Sequence, residues 1–293
     1  MFRAVTLKQH PKKLFVFLFL ILIGIICIGW QLYSRANAES WTSHHSSLRN
    51  YHIAIDGKKI AGVDNNISSL TWSAKSDTLF STINRPPTIV ELSKQGEVIR
   101  TIPIDFAKDI ETIEYVDDNV FVITDEKDYS IYVITLDAAS HVSVVKKLQI
   151  ALQKTPTNTG FEGLAYSAKD HVFYFFKEKK PVAIYRIEGL LDNNDLQISD
   201  DKNLQSQLDV KDISGADFNA ENNSLLVLSH ESKNLQEVTL SGDILGEVSL
   251  KEGENGLTHD IKQAEGIARD GAGNLYIVGE PNLFYLFTKA PPR

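Results

Sequence analysis

Sulfur chemistry is almost missing from this 293-residue chain: Cys27 is its one cysteine, and it lies inside an apolar run. Everything beyond that run is therefore without a disulfide or a reactive thiol, and a domain of about 250 residues buries enough surface to need no such staple. Nucleophile and phosphate motifs are also missing. There is no Gly-x-Ser-x-Gly elbow, no glycine-rich loop ending in Gly-Lys-Ser/Thr, and no His-Glu-x-x-His. The eight histidines are scattered, and no His/Cys cluster points to zinc or copper. Positive charge is scarce past residue 40, where 25 basic residues face 37 acidic ones, a net of −12. That balance argues against nucleic acid as a partner.

Long apolar runs are missing too, with one exception. Residues 14–30 are 17 consecutive apolar or small residues, preceded by Arg3, Lys8, Lys12 and Lys13. The run is at the short end for crossing a hydrocarbon core of about 30 Å. Its basic flank would stay cytoplasmic and send the remainder across the membrane. The expected organisation is a basic cytoplasmic tail (1–13), a transmembrane signal-anchor (14–32), a polar linker (33–50) and an exported domain (51–293). That places the domain in a bacterial periplasm, tethered to the inner membrane. The alternative is a soluble periplasmic protein cleaved near Ala38, where Ala36-Asn37-Ala38 has the small-x-small pattern.

What the chain does have is a repeat. Its five copies are Ser68-Ser69-Leu70-Thr71-Trp72, Glu111-Thr112-Ile113-Glu114-Tyr115, Glu162-Gly163-Leu164-Ala165-Tyr166, Ser214-Gly215-Ala216-Asp217-Phe218 and Glu265-Gly266-Ile267-Ala268-Arg269. The spacing is about 49 residues, and each copy leads to short β-branched or aromatic runs separated by turn residues. Units of four antiparallel strands at this spacing are propeller blades. The prediction is an all-β, five-bladed β-propeller, with six blades as the alternative. The last unit lacks a fourth strand, so Tyr51–Ile55 is expected to pair with the strand near Leu283–Thr288 and close the ring.

In a propeller the first strand of each blade lines the axis, and the turn after the second strand returns to the same face. Ser68, Glu111, Glu162, Ser214 and Glu265 fall at the first location, and Arg85, Glu126, Glu178, Glu231 and Glu280 align at the second. Glutamates crowded in a narrow channel cannot all ionise without a counter-charge. A hard cation supplies one, and Ca²⁺ accepts six to eight oxygens in flexible geometry. The candidate metal ligands are Glu111, Glu162, Glu265, Glu126 and Glu231. The competing expectation is that these glutamates bond amides of a neighbouring blade and set blade registry. Basic residues on the same face, Arg85, Lys127, Lys177 and His230, are candidates for holding a phosphorylated small molecule bridged by calcium.

The phrases Gly160-Phe161-Glu162-Gly163-Leu164-Ala165-Tyr166 and Gln263-Ala264-Glu265-Gly266-Ile267-Ala268, with Leu275-Tyr276-Ile277-Val278-Gly279-Glu280, resemble the SdiA-regulated (YjiK) family. The resemblance implies an exported or inner-membrane-anchored β-propeller. It also implies relatives tied to calcium homeostasis and a likeness to calcium-dependent propeller phytases. This chain departs from a full acidic set at Ser68, Ser214 and Arg85. Two functions are therefore expected: a calcium-binding or sensing module, or a calcium-dependent phosphoester hydrolase. Docking of an envelope protein is a further possibility.

Overall fold

The computed structural model describes residues 24, 26–30, 48–150, 160–179, 181–192 and 195–289. The chain divides into two units, 1–46 and 47–293. In the first, residue 24 and residues 26–30 are helical. Among the described residues no helix is long and apolar enough to cross a membrane. Apart from residues 24 and 26–30, the expected span 14–32 lies outside the described residues, as do the tail 1–13 and most of the linker 33–50.

The second unit is five four-stranded antiparallel sheets arranged as the blades of a ring. Blade one holds β2 (Ile67–Ser73), β3 (Thr78–Ile83), β4 (Thr88–Leu92) and β5 (Val98–Pro103). Blade two runs β6 (Ile110–Asp117), β7 (Val120–Asp125), β8 (Ser130–Leu136) and β9 (Val142–Gln149), and blade three β10 (Phe161–Ser167), β11 (Val172–Lys177), β12 (Ala183–Glu188) and β13 (Gln197–Asp200). Blade four holds β14 (Gly215–Asn219), β15 (Ser224–Ser229), β16 (Asn234–Thr239) and β17 (Ile244–Ser249). Blade five is assembled from both ends of the domain: β18 (Ala264–Arg269), β19 (Leu275–Gly279), β20 (Leu283–Lys289) and then β1 (Tyr51–Lys59). The ring has five blades, and the six-bladed alternative is set aside.

The alternation of side chains along each second strand explains the ring. In β15, Leu226 and Leu228 pack into one apolar cluster with blade five, while Leu225 and Val227 pack into another with blade three. In β19, Leu275 and Ile277 face blade four, and Tyr276 and Val278 face blade one. A strand buried on both faces must be apolar at every position, which is why these runs read as continuous rather than alternating. The protein accordingly has five cores, one at each blade–blade interface.

Closure follows the expected pairing. β1 lies antiparallel to β20 in the register Tyr51↔Lys289, Ile53↔Phe287 and Lys59↔Leu283. The Tyr51 hydroxyl donates to the Gly273 carbonyl at 2.5 Å, and Leu48 and Tyr51 are buried against blades four and five. A chain starting at residue 48 should therefore stay folded and soluble. One starting at residue 60 should aggregate, because β20 becomes an open edge; size-exclusion chromatography of the two separates the outcomes.

At the axis, β2, β6, β10, β14 and β18 touch in cyclic order. A Cβ on Gly266 would meet the Ser69 carbonyl carbon and come within 2.6 Å of the Leu70 nitrogen, both backbone atoms of the next blade. Gly266→Ala should thus cost about 1–3 kcal/mol, as overpacking does. Thermal denaturation should register a fall of about 2–4 °C per kcal/mol, and an unchanged midpoint would mean that the blades are not in this contact.

Candidate functional site

Four of the five first strands start at the axis with a local irregularity, and β14 pairs in continuous register. Register shifts between Ile110 and Thr112, Phe161 and Gly163, and Ala264 and Gly266 leave Glu111, Glu162 and Glu265 as the extra residue of their pairs. A bulge of this kind re-aims one side chain out of the ladder, and here it sends three glutamates to one place. In blade one the shift lies between Ser68 and Leu70, so Ser69 is the extra residue and Ser68 keeps the aligned position.

The second strands end at Ile83, Asp125, Lys177, Ser229 and Gly279. Their next residues are Asn84, Glu126, Glu178, His230 and Glu280. In two blades this corrects the expected alignment by one position. Asn84, not Arg85, and His230, not Glu231, join Ser68, Glu111, Glu162, Ser214, Glu265, Glu178 and Glu280 around an axial cavity of about 200 Å³. The conspicuous charges at Arg85 and Glu231 point elsewhere. Arg85 forks onto Asp109, with Nε 3.0 Å from Oδ1 and an Nη2 2.9 Å from Oδ2. Glu231 pairs with Lys179 at 3.1 Å, and Lys179 also holds Glu178 at 2.6 Å.

The other expected residues separate in the same way. Lys127 stands 3.6 Å from Asp109. Lys177 is buried, and its ammonium donates to the carbonyls of Lys179 at 3.0 Å and Pro181 at 3.3 Å, so it takes no place in the cavity wall. Glu126 accepts the Gly160 amide of the next blade at 2.9 Å, which is a registry contact. It also belongs, with Asp109 and Glu111, to a group whose ligand atoms lie within 4.8 Å of one another.

Registry between first strands is carried mainly by side chains other than the axial glutamates. The Ser68 hydroxyl donates to the Glu111 carbonyl at 2.9 Å, Thr71 Oγ1 accepts the Tyr115 amide at 3.1 Å, and Asp217 Oδ2 accepts the Arg269 amide at 2.6 Å. The Glu111 carboxylate accepts from the Asn84 amide group at 3.2 Å. Among the described residues, Glu162 and Glu265 accept no hydrogen bond.

Burial and mutual repulsion set the electrostatics. Glu111 is pushed up to about 7 by burial and then by Asp109, against the pull of Asn84. Glu265 is pushed up to about 8, first by burial, with His230 opposing and Glu280 and Glu111 adding to it. Glu162 is raised well above the ordinary carboxylate range by burial and by Glu111, Glu126 and Glu265. His230 is the one imidazole in the cavity wall. It is raised chiefly by Asp212, whose Oδ2 lies 3.0 Å from the ring Nδ1. Burial works to raise Asp212, but His230 and Ser229 hold it below its ordinary value.

Sequence reasoning missed Asp109 and Asp212. Each stands two residues before the repeat phrase, in Asp109-Ile110-Glu111 and Asp212-Ile213-Ser214. Asn66 and Gln263 hold the same offset, and they too reach the turn: Asn66 Nδ2 donates to the Arg85 carbonyl and Gln263 Nε2 to Glu280. Extending the repeat by two residues would have exposed that signal.

A family model described as SdiA-regulated matches residues 43–288. In fold the chain is similar to a luciferin-regenerating enzyme, at 12% identity over 79% of this chain and 94% of that one, with a TM-score of 0.52. A Xanthomonas campestris gluconolactonase matches at 13% identity over 80% and 96% of the two chains, with a TM-score of 0.45. A chain of the nidogen–laminin complex matches at 16% identity over 74% and 73%, with a TM-score of 0.49. At these identities the likeness concerns the fold alone.

Raised carboxylates make a pH prediction. In the unfolded chain these groups titrate near their ordinary value of 4.5, while the cation-free fold holds protons on Glu111 to about 7 and on Glu265 to about 8. The folded state binds more protons in that window, so stability is fully present below 4.5 and is lost as pH climbs through 7 to 8. Glu265→Gln removes one such group. In chelator its melting point should exceed that of the parent by about 2–4 °C or more near pH 9 and converge with it in acid. The reverse ordering near pH 9 would show that Glu265 is stabilised as an anion.

Proposed function

This chain belongs to the SdiA-regulated family, and from that premise we propose that its propeller is a binding or sensing module that takes a divalent cation in the axial cavity. One observation carries the reading: Glu111, Glu162 and Glu265, from three blades, face one cavity, and two of them accept no hydrogen bond among the described residues. Both are half-buried, and desolvating a carboxylate without a partner is unfavourable and favours its protonated form. A cation repays that cost and displaces the protons. Carboxylates alone would select a hard ion, with Ca²⁺ as the first candidate. Glu126 is the fourth carboxylate within reach, through Glu111; Glu231 is withdrawn as a ligand because it pairs with Lys179.

The competing hydrolase reading needs cations free to grip a phosphate. Arg85 and Lys127 lie on Asp109, and Lys177 lies on carbonyls, which favours binding over catalysis. We place the module outside the cytoplasm, held at the inner membrane by the apolar run 14–30 and its basic flank, where a phosphorylated ligand or an envelope protein would meet the cavity face. Membrane fractionation with protease protection tests that placement.

Calorimetry on the full chain should record Ca²⁺ binding that weakens at least about tenfold, ~1.4 kcal/mol, when Glu162 and Glu265 are both changed to Gln. A saturating cation should also raise the melting point, by linkage of about 2.7 kcal/mol at a hundred times Kd. Neither heat nor thermal shift with any divalent ion would remove the proposal. Calcium-dependent phosphate release from inositol phosphates, lost in the same variants, would turn it into the hydrolase.

A further inference from the structure

The axial carboxylates share a cavity without converging on one point. Oxygens bound to a single bare calcium ion at about 2.3–2.6 Å lie within roughly 5 Å of one another. Among the described residues, the one set of three acids or imidazoles with ligand atoms within 4.8 Å of one another is Asp109, Glu111 and Glu126. Cations and an amide already engage that set: Arg85 and Lys127 on Asp109, and the Gly160 amide on Glu126. Glu162 and Glu265 belong to no such set, so in this arrangement they do not join a third side chain around one bare ion.

What the wall offers is acceptors set apart around a space. Glu162 and Glu265 accept no hydrogen bond among the described residues. Ser214, on the same wall and 2% exposed, has a hydroxyl without a partner, which is costly unless something in the cavity meets it. The other acids are engaged: Asn84 donates to Glu111 at 3.2 Å, Lys179 holds Glu178 at 2.6 Å, and Gln263 donates to Glu280 at 3.3 Å. Ile67 is the one aliphatic side chain among the described wall residues, so the methylenes of an organic cation would find almost no apolar surface. The cavity of about 200 Å³ has room for about six waters at ~30 Å³ each.

We infer that the axial cavity takes its dication with the water shell still on it, the Glu162 and Glu265 carboxylates and the Ser214 hydroxyl accepting hydrogen bonds from metal-bound waters. The inference rests on the cation-binding reading above and specifies the form of the ion. Waters on a metal turn their hydrogens outward, so a hydrated ion presents donors in several directions and suits acceptors that stand apart. A water-mediated contact is nearly as favourable as a direct one. Two otherwise unengaged carboxylates match the charge of a dication. Mg²⁺ dehydrates reluctantly and keeps several waters, whereas Ca²⁺ collects flexible sets of protein oxygens. Mg²⁺ is accordingly the ion that this cavity suits best.

Hexaamminecobalt(III) tests this, because its ammine ligands do not exchange and it can bind only through their N–H donors. In calorimetric competition on the full chain it should displace Mg²⁺, and Mg²⁺ should bind at least as tightly as Ca²⁺. Changing Glu162 and Glu265 together to Gln should weaken binding of the complex ion by at least about tenfold, ~1.4 kcal/mol. A readout on the unaltered chain guards against variants that fail to fold: pulsed EPR of bound Mn²⁺ in D₂O should count about five or six waters on the ion, as its octahedral preference allows. Four different results would each overturn the inference and leave the cation-binding module standing. They are a bound divalent ion that hexaamminecobalt(III) does not displace, Ca²⁺ tighter than Mg²⁺, Mn²⁺ left with about four waters or fewer, and complex-ion binding unchanged in the double variant. Spermidine displacing Mg²⁺ more effectively than the complex ion would overturn it in favour of an organic cation. No binding of any divalent ion would remove both the inference and the module.

Discussion

The axial cavity exists only because the ladder between β1 and β20 holds. Its wall is assembled from five blades, and no single blade contributes more than two or three groups to it. Like charges from separate blades repel, and they would drift apart if the ring could open. The restraint is a strand from the start of the domain paired in register with its last strand. It is reinforced by Ile60 N bonding the Asn282 carbonyl and by Asp56 accepting from Thr258. A closed ring has no long free edge, and here it also confines the carboxylates. Glu111, Glu162 and Glu265 are all raised above the ordinary carboxylate range, by burial first and then by neighbouring acids.

Confinement at the axis also demands close approach, and different residues meet the two demands. Gly163, Gly215 and Gly266 follow the aligned position in three blades; a Cβ would stand 3.2 Å from the next blade at the first two and would overlap its backbone at Gly266. Ser68, Thr71 and Asp217 then tie neighbouring strands by side chain to backbone. With packing and registry met in this way, Glu162 and Glu265 accept no hydrogen bond among the described residues. Residues that a fold does not use, yet keeps in its least hospitable spot, mark a candidate functional site.

The sequence made the fold legible because a period-two strand buried on both faces leaves a continuous apolar run, and five such runs at even spacing admit few architectures. Tyr51–Ile55 could be placed in the last blade from the missing fourth strand alone. The first location at the axis was legible for the same reason, since Glu162-Gly163 and Glu265-Gly266 mark it by composition. The second location was read one residue late in blades one and four. Arg85 and Glu231 attract attention as charges, but distance from the end of the second strand decides which side chain turns inward, and that selects Asn84 and His230. Asp109 and Asp212 were invisible because they act on turns distant in sequence, Arg85 and His230. Of residues 14–32, which carry a hydropathy signal, residues 24 and 26–30 are described, and they are helical.

The blades are not equivalent, and their order makes the cavity lopsided. Blades one and two compensate their own charge, with Asn84 on Glu111 and with Arg85 and Lys127 on Asp109. Blades three, four and five bring Glu162, Glu178, Glu265 and Glu280 against a single imidazole, while Lys179 attends to Glu178 at the turn. Acid is therefore least compensated across blade four, between Glu162 and Glu265. Glu111 borders both halves, as its influence on Glu162 indicates. A perfect fivefold ring of glutamates would have offered a symmetric oxygen cage. With Ser214 and His230 in place of one acidic pair, the repulsion is lower at blade four and the cavity has a distinct side.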